Sequence, residues 1–179
     1  LGILWRRADL LDRAEMVTQY LENSLPVGKE VDIITGSAGM ILSLLALYQV
    51  RPTEATLNLA VKLGQHLEEN ALQMPSGKAW KIEGEQPLAG FAHGNAGIAY
   101  ALSKLYLLTR QEQFKTLALD GIAYERTLFV PERNNWLDLR KASTATPETH
   151  NDMVAWCTGA AGIGLARLKM LNFLHDNQV

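Results

Sequence analysis

One cysteine, one histidine and one aspartate stand at comparable places in three similar segments of this chain. The segments are Asp32-Ile-Ile-Thr-Gly-Ser-Ala-Gly-Met40, Gly90-Phe-Ala-His-Gly-Asn-Ala-Gly-Ile98 and Ala155-Trp-Cys-Thr-Gly-Ala-Ala-Gly-Ile163. Aligned on the shared Gly-x-Ala-Gly, the position before the first glycine holds Thr35, His93 and Thr158. One position earlier stand Ile34, Ala92 and Cys157, and two positions before that Asp32, Gly90 and Ala155. A thiol can bind metal or act as a nucleophile, an imidazole can move protons, and a carboxylate can orient either. Each residue also has an ordinary structural explanation. A lone cysteine is often a small buried apolar group, a histidine beside a glycine can be a satisfied structural residue, and an aspartate can cap the next helix. His66 on a polar face, His150 in a loop and His175 near the end read as solvated or peripheral. The common register makes the other three a candidate site.

The elements that must position them follow from the same repeat. The glycine pairs Gly36 and Gly39, Gly94 and Gly97, Gly159 and Gly162 recur at intervals of roughly 60 residues, the signature of a repeat architecture. Each pair opens an apolar run: Met40–Tyr48, Ile98–Leu108 and Ile163–Leu174. Between the runs lie stripes at helical spacing. These are Leu10, Ala14, Val17 and Leu21; Leu57, Ala60, Val61, Gly64, Leu67 and Ala71; and Leu117, Gly121, Tyr124 and Leu128. Thr109 and Glu112 have capping-box spacing, and Pro52 marks a stop and restart. No period-two alternation is sustained, so no strand is expected. The pattern predicts an all-α chain, a partial α/α toroid of inner and outer helical hairpins, that is, an incomplete barrel. Glycine at the inner-helix starts should allow close backbone approach and unusual dihedrals. The N–H groups of those helix starts should point to one rim, where Asp32, His93 and Cys157 would face a common hollow.

Composition sets the outer limits. The chain has 179 residues, 47% hydrophobic and 20% charged, with a net charge of −2. This suits one globular domain over 1–179. The balanced charge argues against nucleic acid, whose phosphates need clustered Lys and Arg. A single Cys excludes an internal disulfide and points to a reducing, cytoplasmic setting. The most apolar run, Ala38–Tyr48, is broken by Ser43 and falls short of the roughly 20 residues of a membrane span. Arg6, Arg7 and Asp9 interrupt any early signal-like run. A start at Leu1 suggests a piece of a longer protein.

The second and third segments resemble the LanC-like family of lanthionine synthetase cyclases, and the first is similar to that family's earlier Asp-containing repeat. Asn135-Trp-Leu-Asp-Leu-Arg140 is similar to a segment of the cyclase region of class II lanthipeptide synthetases. The resemblance runs from about Asp32 to Leu168, most of the chain. It implies a zinc-dependent cyclase that adds a cysteine thiol of a precursor peptide to dehydroalanine or dehydrobutyrine, forming a thioether. It implies Cys157 as a zinc ligand, His93 as the acid–base residue, Asp32 as a residue orienting that site, and Trp156 as part of the substrate-pocket wall. The family's zinc site also needs a later Cys-His pair, and this chain has no second Cys. The expectation is therefore that this chain alone binds no zinc and forms no thioether, and that a full-length protein does both. The family toroid has more hairpins than three, so an open arc would expose apolar flanks that oligomerisation would cover. A dehydratase region would precede Leu1.

Two other readings stand beside this one. An α/α-barrel carbohydrate hydrolase or lyase would pair Asp32 with Glu85, Asp138 or Glu148. A non-catalytic module would hold a peptide or glutathione, with the long segment Val130 to Asp152, carrying Trp136, Arg140 and His150, as a contact surface.

Overall fold

The computed structural model describes residues 2–24, 30–82, 86–141 and 153–174. Six α-helices make up most of them: α1 (Ala8–Ser24), α2 (Ser37–Tyr48), α3 (Glu54–Glu69), α4 (Asn95–Thr109), α5 (Glu112–Arg126) and α6 (Ala160–Leu174). The apolar helices α2, α4 and α6 lie side by side, with α4 in the middle. The amphipathic α3 and α5 pack outside them as the second arms of the hairpins α2–α3 and α4–α5, and α1 rests on α2 and α3. This is the all-α partial toroid that the repeat predicts.

Burial follows the layering. The core joins Ile41, Leu44 and Leu45 of α2 to Leu59, Leu63 and Leu67 of α3, Ile98, Leu102 and Leu105 of α4, and Phe114 and Ile122 of α5. Helix α4, flanked on both sides, is buried almost all round, whereas Leu165, Leu168 and Leu171 of α6 remain exposed. On α1 the stripe is rotated from the expected one: Thr18 is buried and Val17 exposed.

Some local expectations need correction. Among the described residues four two-residue strands occur, paired as antiparallel hairpins: β1 (Leu72–Gln73) with β2 (Lys78–Ala79), and β3 (Phe129–Val130) with β4 (Asn135–Trp136). They are too short for alternation to show. Thr109 closes α4 and donates to Leu105 O, and Gln111 caps α5, so Thr109 and Glu112 form no capping box. At Pro52 the stop and restart hold: α3 begins after Thr53, whose hydroxyl accepts the Thr56 N–H at 3.2 Å.

The helix-start glycines serve close approach more than dihedral freedom. Gly36 and Gly94 have extended backbones that any residue adopts; only Gly159, at φ 88°, is left-handed. A side chain at Gly97 or Gly162 would strike the carbonyl of Phe91 or Trp156. The N–H groups of these helix starts do not point to a rim. Ser37, Ala38 and Gly39 donate to Glu30, Val31 and Asp32 O, Asn95 and Ala96 to Leu88 and Ala89 O, and Gly162 to Ala155 O. The loop before each helix thus folds back as its cap. In the third repeat a side chain takes part: Asn135 Oδ1 accepts the Ala160 N–H at 2.8 Å.

Glu125 on α5 and Arg167 on α6 form a buried ion pair at 2.6 Å. Glu125 is 0% exposed, and burial pushes its carboxyl up to about 7 against the pull of Arg167. The folded protein therefore keeps a proton on Glu125 between about pH 4.5 and 7, where the unfolded chain has released it. Stability owed to this group should fall as pH rises through that window and level off above it. Urea unfolding at a series of pH values should show this decline in the native protein and a flatter profile in Glu125→Gln.

Candidate active site

The three helix-start loops are stitched together through their backbones. The Ile33 N–H donates to Ala92 O at 3.1 Å, and the Ala92 N–H donates to Cys157 O at 3.1 Å. Gly90 permits the second contact, because a Cβ there would fall 2.6 Å from the Cys157 carbonyl oxygen. Loops far apart in sequence are thereby held edge to edge.

Asp32 and His93 meet across this seam. The His93 Nδ1–H donates to Asp32 Oδ2 at 2.5 Å, between residues 61 apart in sequence. Asp32 Oδ1 accepts the Thr35 N–H at 2.7 Å and the Thr35 hydroxyl at 3.1 Å. Asp32 is only 1% exposed. Burial pushes its carboxyl up, but the hydrogen bonds from Thr35 and His93 outweigh this and hold it below the usual carboxylate range. An ionised Asp32 can only accept, so Nδ1 carries the proton and Nε2 is left as the nitrogen for proton exchange. Asp32 does not serve as a simple helix cap.

His93 and Cys157 line one narrow cleft. Gly90 and Thr158 form part of its wall, and Trp136 of β4 lines it together with Asp138 and Arg140 of the segment that follows. Cys157 is a half-buried free thiol. The structure thus brings together Asp32, His93 and Cys157. Trp156 does not line this cleft and is 60% exposed; the tryptophan on its wall is Trp136.

The remaining candidates divide plainly. His66 is not simply solvated: its Nδ1 lies 2.8 Å from Ser37 Oγ, at the first turn of α2. His150, His175, Glu85 and Glu148 lie outside the described residues, as does most of the second half of the segment from Val130 to Asp152. Asp138 holds Arg140 through two side-chain bonds, to Nε at 2.8 Å and Nη2 at 2.5 Å. A glycosidase acid needs a raised carboxyl, and Asp32 is shifted the other way. Sequence reasoning passed over Asn135 and Thr35. Thr35 shares a column with His93 and Thr158, a signal that could have found it.

For a metal, Cys157 offers one soft ligand. Among the described residues no group of three or more His, Cys, Asp or Glu side chains could hold an ion. The Nδ1 atom of His93 is already committed to Asp32. A zinc site requires at least three protein ligands, so these residues do not make one by themselves.

Comparison with known proteins decides the family. A family model described as lanthionine synthetase C-like protein matches residues 6–179. The chain belongs to that family. It is also similar to the lacticin 481/lactococcin biosynthesis protein LcnDR2 of Lactococcus lactis subsp. lactis, at 25% identity over 140 residues. That match takes in 78% of this LanC-like chain and 13% of the relative, so the chain spans a small fraction of the relative's length. No helix among the described residues is long and apolar enough to cross a membrane.

The Asp32–His93 pair gives a direct test. In Asp32→Asn an amide replaces the acceptor of a buried hydrogen bond, and urea unfolding should show a loss of about 1–3 kcal/mol. The Asp32 contribution is complete above its unfolded pKa of 3.8 and is lost as pH falls through the lower folded value. The variant should lack that acid limb.

Proposed function

We propose that this LanC-like chain carries the proton-transfer face of a lanthionine-forming cyclase that acts on a precursor peptide. The observation that carries the reading is the meeting of the Asp32-oriented imidazole of His93 with the thiol of Cys157 at one cleft. Family membership and a relative named for the biosynthesis of lacticin 481 and lactococcin support it.

The reaction divides into steps that these residues can perform. Asp32 fixes the ring of His93 so that Nε2 takes the proton of a peptide cysteine thiol. The resulting thiolate sulfur bonds to Cβ of dehydroalanine or dehydrobutyrine, and the double-bond pair moves onto Cα and its carbonyl. His93 returns the proton to Cα, so no atom is gained or lost. Within a longer protein we assign Cys157 as one ligand of a zinc ion whose other ligands lie outside this chain. When bound, zinc would favour the thiolate form of the substrate. Alone, this chain is expected to form no thioether.

Thioether formation leaves mass unchanged but consumes a thiol, so alkylation followed by mass counting measures it. With the longest natural polypeptide that contains this chain and a dehydrated precursor peptide, His93→Ala should slow thiol loss about 10²–10⁴-fold. Cys157→Ala should also release zinc. Unchanged thiol loss in His93→Ala, or unchanged zinc content in Cys157→Ala, would remove the respective assignment. Peptide binding with no thiol loss in the unaltered protein would instead favour a non-catalytic binding module.

A further inference from the structure

Trp136 stands between the candidate site and a buried charge cluster. On one side it lines the cleft of His93 and Cys157. On the other lies a cavity of about 430 Å³, bordered by Trp136, Phe129, Arg126, Glu125 and Arg167. The Phe129 ring supports the indole, with ring centroids 4.7 Å apart. Trp136 also packs against a small apolar cluster of Ala89, Ala96 and Ile163, separate from the main core. Ala89 and Ala96 flank His93 in the sequence, and Ile163 lies near the start of α6, the helix that follows Cys157. The residue before Trp136 grips the same corner: Asn135 accepts the Ala160 N–H at 2.8 Å and donates to Met153 O at 3.4 Å. The hairpin β3–β4 thus touches the His93 corner and the Cys157 corner at once.

Behind Trp136 stands an ion pair. Glu125 lies in the last turn of α5 and Arg167 on α6, and their 2.6 Å bond ties the hairpin of His93 to the helix of Cys157. Glu125 Oε1 and Trp136 Nε1 are both buried without a hydrogen bond. The indole nonetheless pulls the Glu125 carboxyl down against the effect of burial, so the two groups act on one another. A buried ion pair is costly to desolvate, and apolar side chains of similar volume often serve stability as well or better. Stability alone therefore does not account for Glu125 and Arg167. We propose that Trp136 is a positioning residue, a spacer that sets the separation of Cys157 from His93, and that Glu125 and Arg167 act through it by fixing the indole from behind. This deepens the cyclase reading and rests on it. A misplacement of about 1 Å can cost about 10²-fold in rate, so Trp136 need not touch the reacting atoms to matter.

The test uses the longest natural polypeptide that contains this chain, a dehydrated precursor peptide and thiol consumption as the readout. In the paired variant Glu125→Leu with Arg167→Met, apolar side chains replace the ion pair, and the thermal midpoint should stay level or rise. Its kcat should nevertheless fall about 10²-fold, with KM nearly unchanged. Acrylamide should quench Trp136 more readily in that variant, the Trp136 signal being the difference between each protein and its Trp136→Phe form. Glu125→Gln, which keeps an acceptor for Arg167, should retain most of the rate. An unchanged kcat in the folded paired variant would overturn the proposal, as would a raised KM at unchanged kcat, the mark of a substrate contact. Unaltered quenching would remove Glu125 and Arg167 from it. If the paired variant does not fold, Trp136→Phe decides by the same split of kcat from KM. Absence of thiol loss in the unaltered protein would sink the cyclase reading and the proposal with it, whereas thiol loss that the variants do not slow would sink the proposal alone.

Discussion

Two peptide hydrogen bonds, Ile33 to Ala92 and Ala92 to Cys157, set the geometry on which everything else rests. They can form only where backbones come within bonding distance, and Gly90 supplies that room. Each helix start is rigid in its own right, because the preceding loop returns to cap it. Three rigid corners joined edge to edge leave little freedom for the side chains they carry. The meeting of His93 with Asp32 is thus a property of the backbone seam, which the side chains then reinforce.

The electrostatics of the site follow from that enclosure. A carboxylate with almost no exposure would ordinarily take up a proton, as burial makes Glu125 do. Asp32 escapes because every part of its carboxylate is used: Thr35 supplies two donors to one oxygen and His93 one to the other. Asp32 accepts three hydrogen bonds and is held low, whereas at Glu125 burial outweighs the pull of Arg167 and pushes the carboxyl up. An ionised Asp32 also explains how an imidazole can be held in one tautomer at a partly open cleft.

Much of this was legible in the sequence, for identifiable reasons. The Gly-x-Ala-Gly repeats mark α2, α4 and α6 because the steric need for glycine is local, and Asp32, His93 and Cys157 fall into register with them. The hairpin of Trp136 was not legible, since two-residue strands leave no periodic trace. Nor was the work of Asn135, which depends on a partner 25 residues away. The helix-start N–H groups were misread as open because nothing in a linear pattern shows a loop turning back on its own helix. Thr109 and Glu112 satisfied a spacing rule, but a left-handed residue at Arg110 ends α4 between them.

The manner in which α6 is fastened has a kinetic meaning. The hairpins α2–α3 and α4–α5 close through short connections, so their halves find each other locally. Helix α6 is fastened by ties that reach back 25 residues to Asn135, 42 to Glu125 and 67 to Ser103, where Met170 Sδ lies 3.3 Å from the hydroxyl. Detachment of this one helix would carry Cys157 away while Asp32 and His93 stay joined. The alignment of the thiol with the imidazole therefore depends on contacts made far back along the chain.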